Sequence, residues 1–133
     1  MNSISDYDLG WLVGILEGEG CFYLDQRWAK GTGSVRIQVK MTDEDTVNKV
    51  ASLFEQILGK PVEVRESSAN LAKQSQPYQV SIGGQDARAL MKLVVKRMSW
   101  RRRQRIWQCL NNYKQPKTTM KLTLSDLKLV SNA

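Results

Sequence analysis

Histidine is absent from this chain of 133 residues. Its absence excludes a Ser-His-Asp triad, the usual zinc sites and the commonest general base. Any catalysis must rest on carboxylates, lysine, arginine, tyrosine or a metal held by oxygen. Cysteine is scarce. Cys21 and Cys109 stand far apart and form no disulfide framework, which points to a reducing, intracellular compartment. Bacterial or phage cytoplasm, mitochondrion and chloroplast all stay open. No apolar run is long enough to span a bilayer. Met1 to Asp6 lacks the basic region and apolar block of a secretory signal. No membrane partner is expected on these grounds.

Acidic residues are outnumbered. Twenty lysines and arginines stand against thirteen aspartates and glutamates, giving a net charge of +7 and a pI near 9.6. Such a surplus favours a polyanionic partner, nucleic acid first and an anionic membrane second. It is equally found on basic domains that bind no polyanion. The length suits one domain with its own core, expected over residues 1–113, followed by a tail at 114–133 with a short helix at Ser125 to Val130.

Asp8 to Glu17 reads as a helix. It is apolar nearly all round, through Leu9, Trp11, Leu12, Val13, Ile15 and Leu16, so burial on more than one side is expected. Gly14 interrupts it, and a glycine there suits the close approach of another backbone. A strand follows in which Phe22 and Leu24 alternate with Tyr23, Asp25 and Arg27. Lys30 to Gly33 is a turn, and Ser34 to Met41 is a strand of strict period two. Thr42 or Asp43 caps a helix from Asp43 to Leu58, which Gly59 and Pro61 stop. A second hairpin is formed by Val62 to Ser67 and Tyr78 to Ile82 across a polar connection. Helices are then expected at Gln85 to Arg97 and, capped by Ser99, through Tyr113, the latter with Trp100, Ile106, Trp107, Cys109 and Leu110 as its apolar positions. Cys21 is expected to pack.

The order predicts an α+β fold, an antiparallel sheet with helices on one face. The other face would carry Tyr23, Asp25, Arg27, Ser34, Arg36, Gln38, Lys40, Arg65, Ser67, Gln79 and Ser81. A two-stranded ribbon bearing such donors and cations fits a DNA major groove, where Arg and Lys suit guanine and Gln suits adenine. A plain solvated face reads the same way. Glu17 and Glu19 lie at the carboxyl end of the first helix, where the helix dipole is unfavourable to anions. Two acids there invite a cation, and magnesium accepts oxygen ligands without histidine. A pair of acids that merely stays hydrated is the alternative.

Leu12-Val13-Gly14-Ile15-Leu16-Glu17-Gly18-Glu19-Gly20 resembles the nine-residue signature of the LAGLIDADG homing endonucleases. Leu12, Gly14 and Gly20 are identical to it, and the other positions are conservative except Gly18 in place of alanine. Together with the order of helices and hairpins, the resemblance covers roughly residues 5 to 113. It implies a saddle-shaped sheet. It implies that two such helices pack through Leu12, Val13, Gly14, Leu16 and Glu17, with their acidic ends side by side over the DNA minor groove. One motif copy then implies a homodimer and a roughly palindromic double-stranded target.

By the same resemblance Glu19 is the metal-binding acid, Glu17 the less essential one, and the Gly18 carbonyl a further ligand. The cation would be Mg2+ or another divalent ion such as Mn2+, with Ca2+ a non-cleaving substitute. Asp43 matches a polar residue that orders water near the metal, and it could equally serve only as a helix cap. Arg101 matches the basic residue that stabilises the scissile phosphate, with Lys96, Arg97 and Arg103 as alternatives. The expected activity is hydrolysis of both DNA strands in intron homing. RNA becomes the partner if the chain is a maturase, and some relatives bind DNA without cutting. A membrane-surface role would need an amphipathic basic helix with exposed aromatics, whereas Trp100 and Trp107 fall at core spacing in a helix.

Overall fold

The computed structural model describes residues 3–25, 34–67 and 76–112. Arg27, the Lys30 to Gly33 turn, Tyr113 and the tail with its expected helix lie outside the described residues. The elements run α1 (Asp6–Glu19), β1 (Gly20–Asp25), β2 (Ser34–Met41), α2 (Glu44–Leu58), β3 (Val64–Glu66), β4 (Tyr78–Gly83), α3 (Gly84–Val94), a 3-10 turn (Val95–Arg97) and α4 (Trp100–Asn112). This is the α+β order expected. The strands form one antiparallel sheet in the order β1-β2-β4-β3. In the β3–β4 ladder Arg65 stands opposite Gln79 and Glu66 opposite Tyr78.

α1 extends beyond its expected bounds at both ends. Ser5 starts it, its hydroxyl accepting the Asp8 amide at 3.1 Å, and Asp6 and Asp8 suit the positive end of the helix dipole. α2 begins after Asp43 and stops at Gly59, whose φ of 73° is the left-handed conformation of a helix stop. The helix expected from Gln85 to Arg97 tightens instead into a 3-10 turn over its last three residues.

The described residues fall into two compact units. The first contains α1, the end of β2, α2, β3 and β4; the second contains most of β1, the start of β2, α3, the 3-10 turn and α4. The core of the first is built from Leu12 and Leu16 of α1, Val39, Val47, Val50, Phe54 and Ile57, with Val80 from β4. Lys49 on α2 lays its ammonium over the Trp11 ring at 4.3 Å and 5.9 Å from the Tyr7 ring, fastening the two helices at their polar edge. The second unit buries Phe22, Val35, Ile37, Leu90, Met91, Val94, Met98 and Ile106. Among the described residues no helix is long and apolar enough to cross a membrane.

Candidate functional site

α1 is buried on one side only. Leu12, Val13 and Leu16 lie in the chain's own core, whereas Gly10, Gly14 and Gly18 are exposed, and a Cβ built on any of these three would meet nothing within 4 Å. These glycines recur every fourth residue and so line one stripe of the helix. The all-round burial expected from composition is therefore incomplete within the chain. Of the five residues assigned to a dimer interface, Leu12, Val13 and Leu16 are already spent on the core, Glu17 is half-buried, and Gly14 is open. Gly20 differs in kind from the stripe. A Cβ there would fall 2.6 Å from the Leu16 carbonyl oxygen, which already accepts the Gly20 amide. Only glycine lets the helix turn into β1 at this point.

Glu19 is the last helical residue and is exposed. Because Leu16 O takes the Gly20 amide, the carbonyls of Gly18 and Glu19 have no intrahelical amide left to accept from. The helix end therefore offers one carboxylate and backbone oxygens, a hard donor set suited to magnesium. Among the described residues no three acids or cysteines converge to hold a metal. Magnesium does not need such a cage, since it is commonly held by one or two carboxylates with substrate phosphates and water. The residues present thus fit an ion shared with a phosphodiester. Asp43 occupies the N-cap position of α2, yet its carboxylate accepts the Thr46 hydroxyl at 2.6 Å rather than a backbone amide.

Strand alternation divides the expected reading residues. Along β2, Val35, Ile37 and Val39 are buried while Ser34, Arg36 and Gln38 are half-buried and Lys40 is exposed. Tyr23 in β1 and Gln79 and Ser81 in β4 are likewise partly open, and Arg65 is exposed beside Gln79. Among the described residues Arg65 pairs with Glu63 at 3.3 Å on the surface, an arrangement worth little and easily exchanged. Two residues depart from expectation. Asp25 is 5% exposed and engaged within the chain, as a buried carboxylate must be. Ser67 is buried, its amide donating to the Pro77 carbonyl at 2.9 Å to close the connection. Cys21 is also corrected: one residue out of phase with Phe22, it faces outward. The sequence reading missed Gly83, where a Cβ would come within 2.6 Å of Arg36 Nη1; its missing side chain gives that guanidinium its seat. In the ladder, Glu44, then burial, then Glu66 raise the Tyr78 phenol above its ordinary value.

The arginine run is divided by function. Arg103 donates from Nε to the Met98 carbonyl at 2.7 Å and from Nη2 to the Lys96 carbonyl at 3.0 Å, pinning the 3-10 turn to the first turn of α4. Arg102 lies 5.7 Å from the centre of the Phe22 ring. Arg105 donates to the Phe22 carbonyl at 2.8 Å and to Gln108 at 3.2 Å. Arg101, Lys96 and Arg97 remain exposed. From Val95 to Asn112 the sequence carries Lys96, Arg97, Arg101, Arg102, Arg103 and Arg105 and no acid. Trp100, expected in the core, is 50% exposed. An open hollow of 310 Å³ is bounded by Leu24, Arg105, Gln108 and Cys109, with no carboxylate among the described residues that line it.

The fold and these surfaces define an α+β protein with a polar-faced antiparallel sheet and an acidic helix end. Comparison with models of known protein families finds no match, and comparison with curated proteins finds none either.

Proposed function

We propose that the chain is a site-specific, metal-dependent DNA endonuclease of the LAGLIDADG type, working as a homodimer on a long, roughly palindromic duplex. One observation carries the reading. α1 exposes Gly10, Gly14 and Gly18 with nothing in reach of an added Cβ, and ends in the exposed carboxylate of Glu19. Interior helical glycines cost about 1 kcal/mol each relative to alanine. Among the described residues no contact offsets that cost, whereas the close approach of a second helix would. A partner's α1 on this stripe would bring two Glu19 carboxylates together.

Glu19 and the Gly18 carbonyl would hold Mg2+, which supplies charge neutralisation at the phosphodiester and an acidified water. The chain's residues do the rest. Arg101, exposed on α4, is the residue we assign to stabilising the developing phosphate charge. Asp43, already accepting from Thr46, retains acceptor capacity to orient a water. The partly open residues of β1, β2, β3 and β4 read bases or hold phosphates, and intron homing in an intracellular compartment is the setting. Glu19→Gln keeps duplex binding and loses cleavage of a selected target by at least about 100-fold, the scale of a lost transition-state interaction. Cleavage at the original rate by this variant would overturn the site. Should neither protein cleave any site from a randomised library in magnesium, yet both bind DNA or intron RNA, the second reading stands: a binding protein or maturase on the same scaffold.

A further inference from the structure

The corner between the 3-10 turn and α4 carries a surface that the sheet face and α1 do not use. Arg103 ties it internally through the Met98 and Lys96 carbonyls. Its own backbone amide closes the first turn of α4 onto the Ser99 carbonyl at 2.9 Å. Within this fixed corner Lys96, Arg97 and Arg101 are exposed, no acid occurs from Val95 to Asn112, and Trp100 offers half its surface to solvent. Trp100 and Tyr7 are the exposed large apolar side chains among the described residues. Tyr7 sits beside Lys49, whereas among the described residues no ring or cation lies over Trp100.

We propose that Trp100 is a stacking platform for an unpaired nucleobase, with Lys96 and Arg97 holding the phosphates on either side of it. The occupant is a single-stranded stretch of nucleic acid, such as the unpaired flank of a cut or melted duplex or a loop of RNA. Charge complementarity selects a polyanion. The lone indole selects one with aromatic faces, since base–aromatic stacking is worth enough per base to hold a single strand. An anionic membrane fits less well. Insertion needs a continuous apolar face, and the other outward residues at the start of α4, Arg101, Gln104 and Arg105, are charged or amide-bearing. The inference shares with the proposed function only its choice of nucleic acid and does not require cleavage or a dimer.

The test compares labelled single strands of about a dozen nucleotides, oligothymidylate, oligouridylate and an abasic strand of equal length, by fluorescence anisotropy on the full chain without divalent metal. The base-bearing strands bind roughly 5- to 100-fold tighter than the abasic one, the scale of one stacked base. Trp100→Ala removes that preference and leaves abasic binding unchanged. Trp100→Tyr retains most of it. Lys96→Gln with Arg97→Gln lowers affinity for all strands and reduces the slope of log K against log salt by about 1.4. A difference between the thymidylate and uridylate arms identifies DNA or RNA as the natural source, and a preference over abasic in either arm supports the proposal. Equal binding of base-bearing and abasic strands overturns it, as does an equal loss for both in Trp100→Ala. Trp100-dependent binding to vesicles of anionic phospholipid, with no base preference, overturns it in favour of a membrane. Duplex cleavage with no base preference refutes this inference alone; a base preference without duplex cleavage refutes the endonuclease alone.

Discussion

Glycine takes opposite roles at two positions six residues apart. At Gly14 the backbone is helical and the space beyond it is open, so alanine fits and removes the entropic cost of glycine. At Gly20 a Cβ would press on the Leu16 carbonyl at 2.6 Å, and that carbonyl is backbone and cannot yield cheaply. Gly14→Ala is therefore expected to raise the stability of the isolated chain by up to ~1 kcal/mol. Gly20→Ala is expected to lower it by ~1–3 kcal/mol through strain at the helix end. Urea denaturation at low protein concentration reads both. If Gly14 is an interface position, the same stabilising alanine weakens self-association. A Gly14→Ala protein that gains stability and associates as before would assign the stripe to solvent.

Elements were legible where periodicity was strong. The strict alternation of Ser34 to Met41 matched the bounds of β2 and its buried Val35, Ile37 and Val39, with Met41 at the strand end only half-buried, because a strand with one face in a core has no other register open to it. The stripe and the Gly59 stop gave α2 to within a residue. Legibility failed at ends and corners. Composition made α1 look buried all round, but how many sides of a helix one chain covers is a tertiary property. Trp100 counted as core by type, yet it stands at the first residue of α4, before the helix has turned inward, and is exposed. Sequence likewise could not divide the arginine run, because the carbonyls that claim Arg103 come from the 3-10 turn, where a continuous helix was expected, and from Met98 just after it. That division makes a prediction about the corner. Arg103→Ala leaves two carbonyls without their charged donor and is expected to cost ~1.5–3 kcal/mol per such bond at most, less where water replaces it. Arg101→Ala is expected to leave the denaturation midpoint unchanged while slowing cleavage. Equal destabilisation by both would mean that Arg101 also serves the fold.

For the whole molecule, the charges are unevenly shared along the chain. Met1 to Cys21 carries Asp6, Asp8, Glu17 and Glu19 and no cation, whereas the segment from Val95 to Asn112 carries cations and no acid. A homodimer formed through α1 would set like-charged helix ends against each other, each already negative from its own dipole. Association would then be opposed by the acids that the proposed chemistry needs, and favoured by whatever neutralises them, a divalent cation or the Glu19→Gln substitution. Two unit charges about 4 Å apart repel by ~1 kcal/mol when fully hydrated, or roughly fivefold in a dissociation constant. The expected outcome by sedimentation equilibrium, with a chelator present and no DNA, is a dimer several-fold tighter for Glu19→Gln than for the unaltered chain. Magnesium should narrow that gap by tightening the unaltered chain alone. An unchanged dissociation constant would place the Glu19 carboxylates far apart in the dimer. The shared metal site would then fail even if the stripe of glycines proved to be the interface.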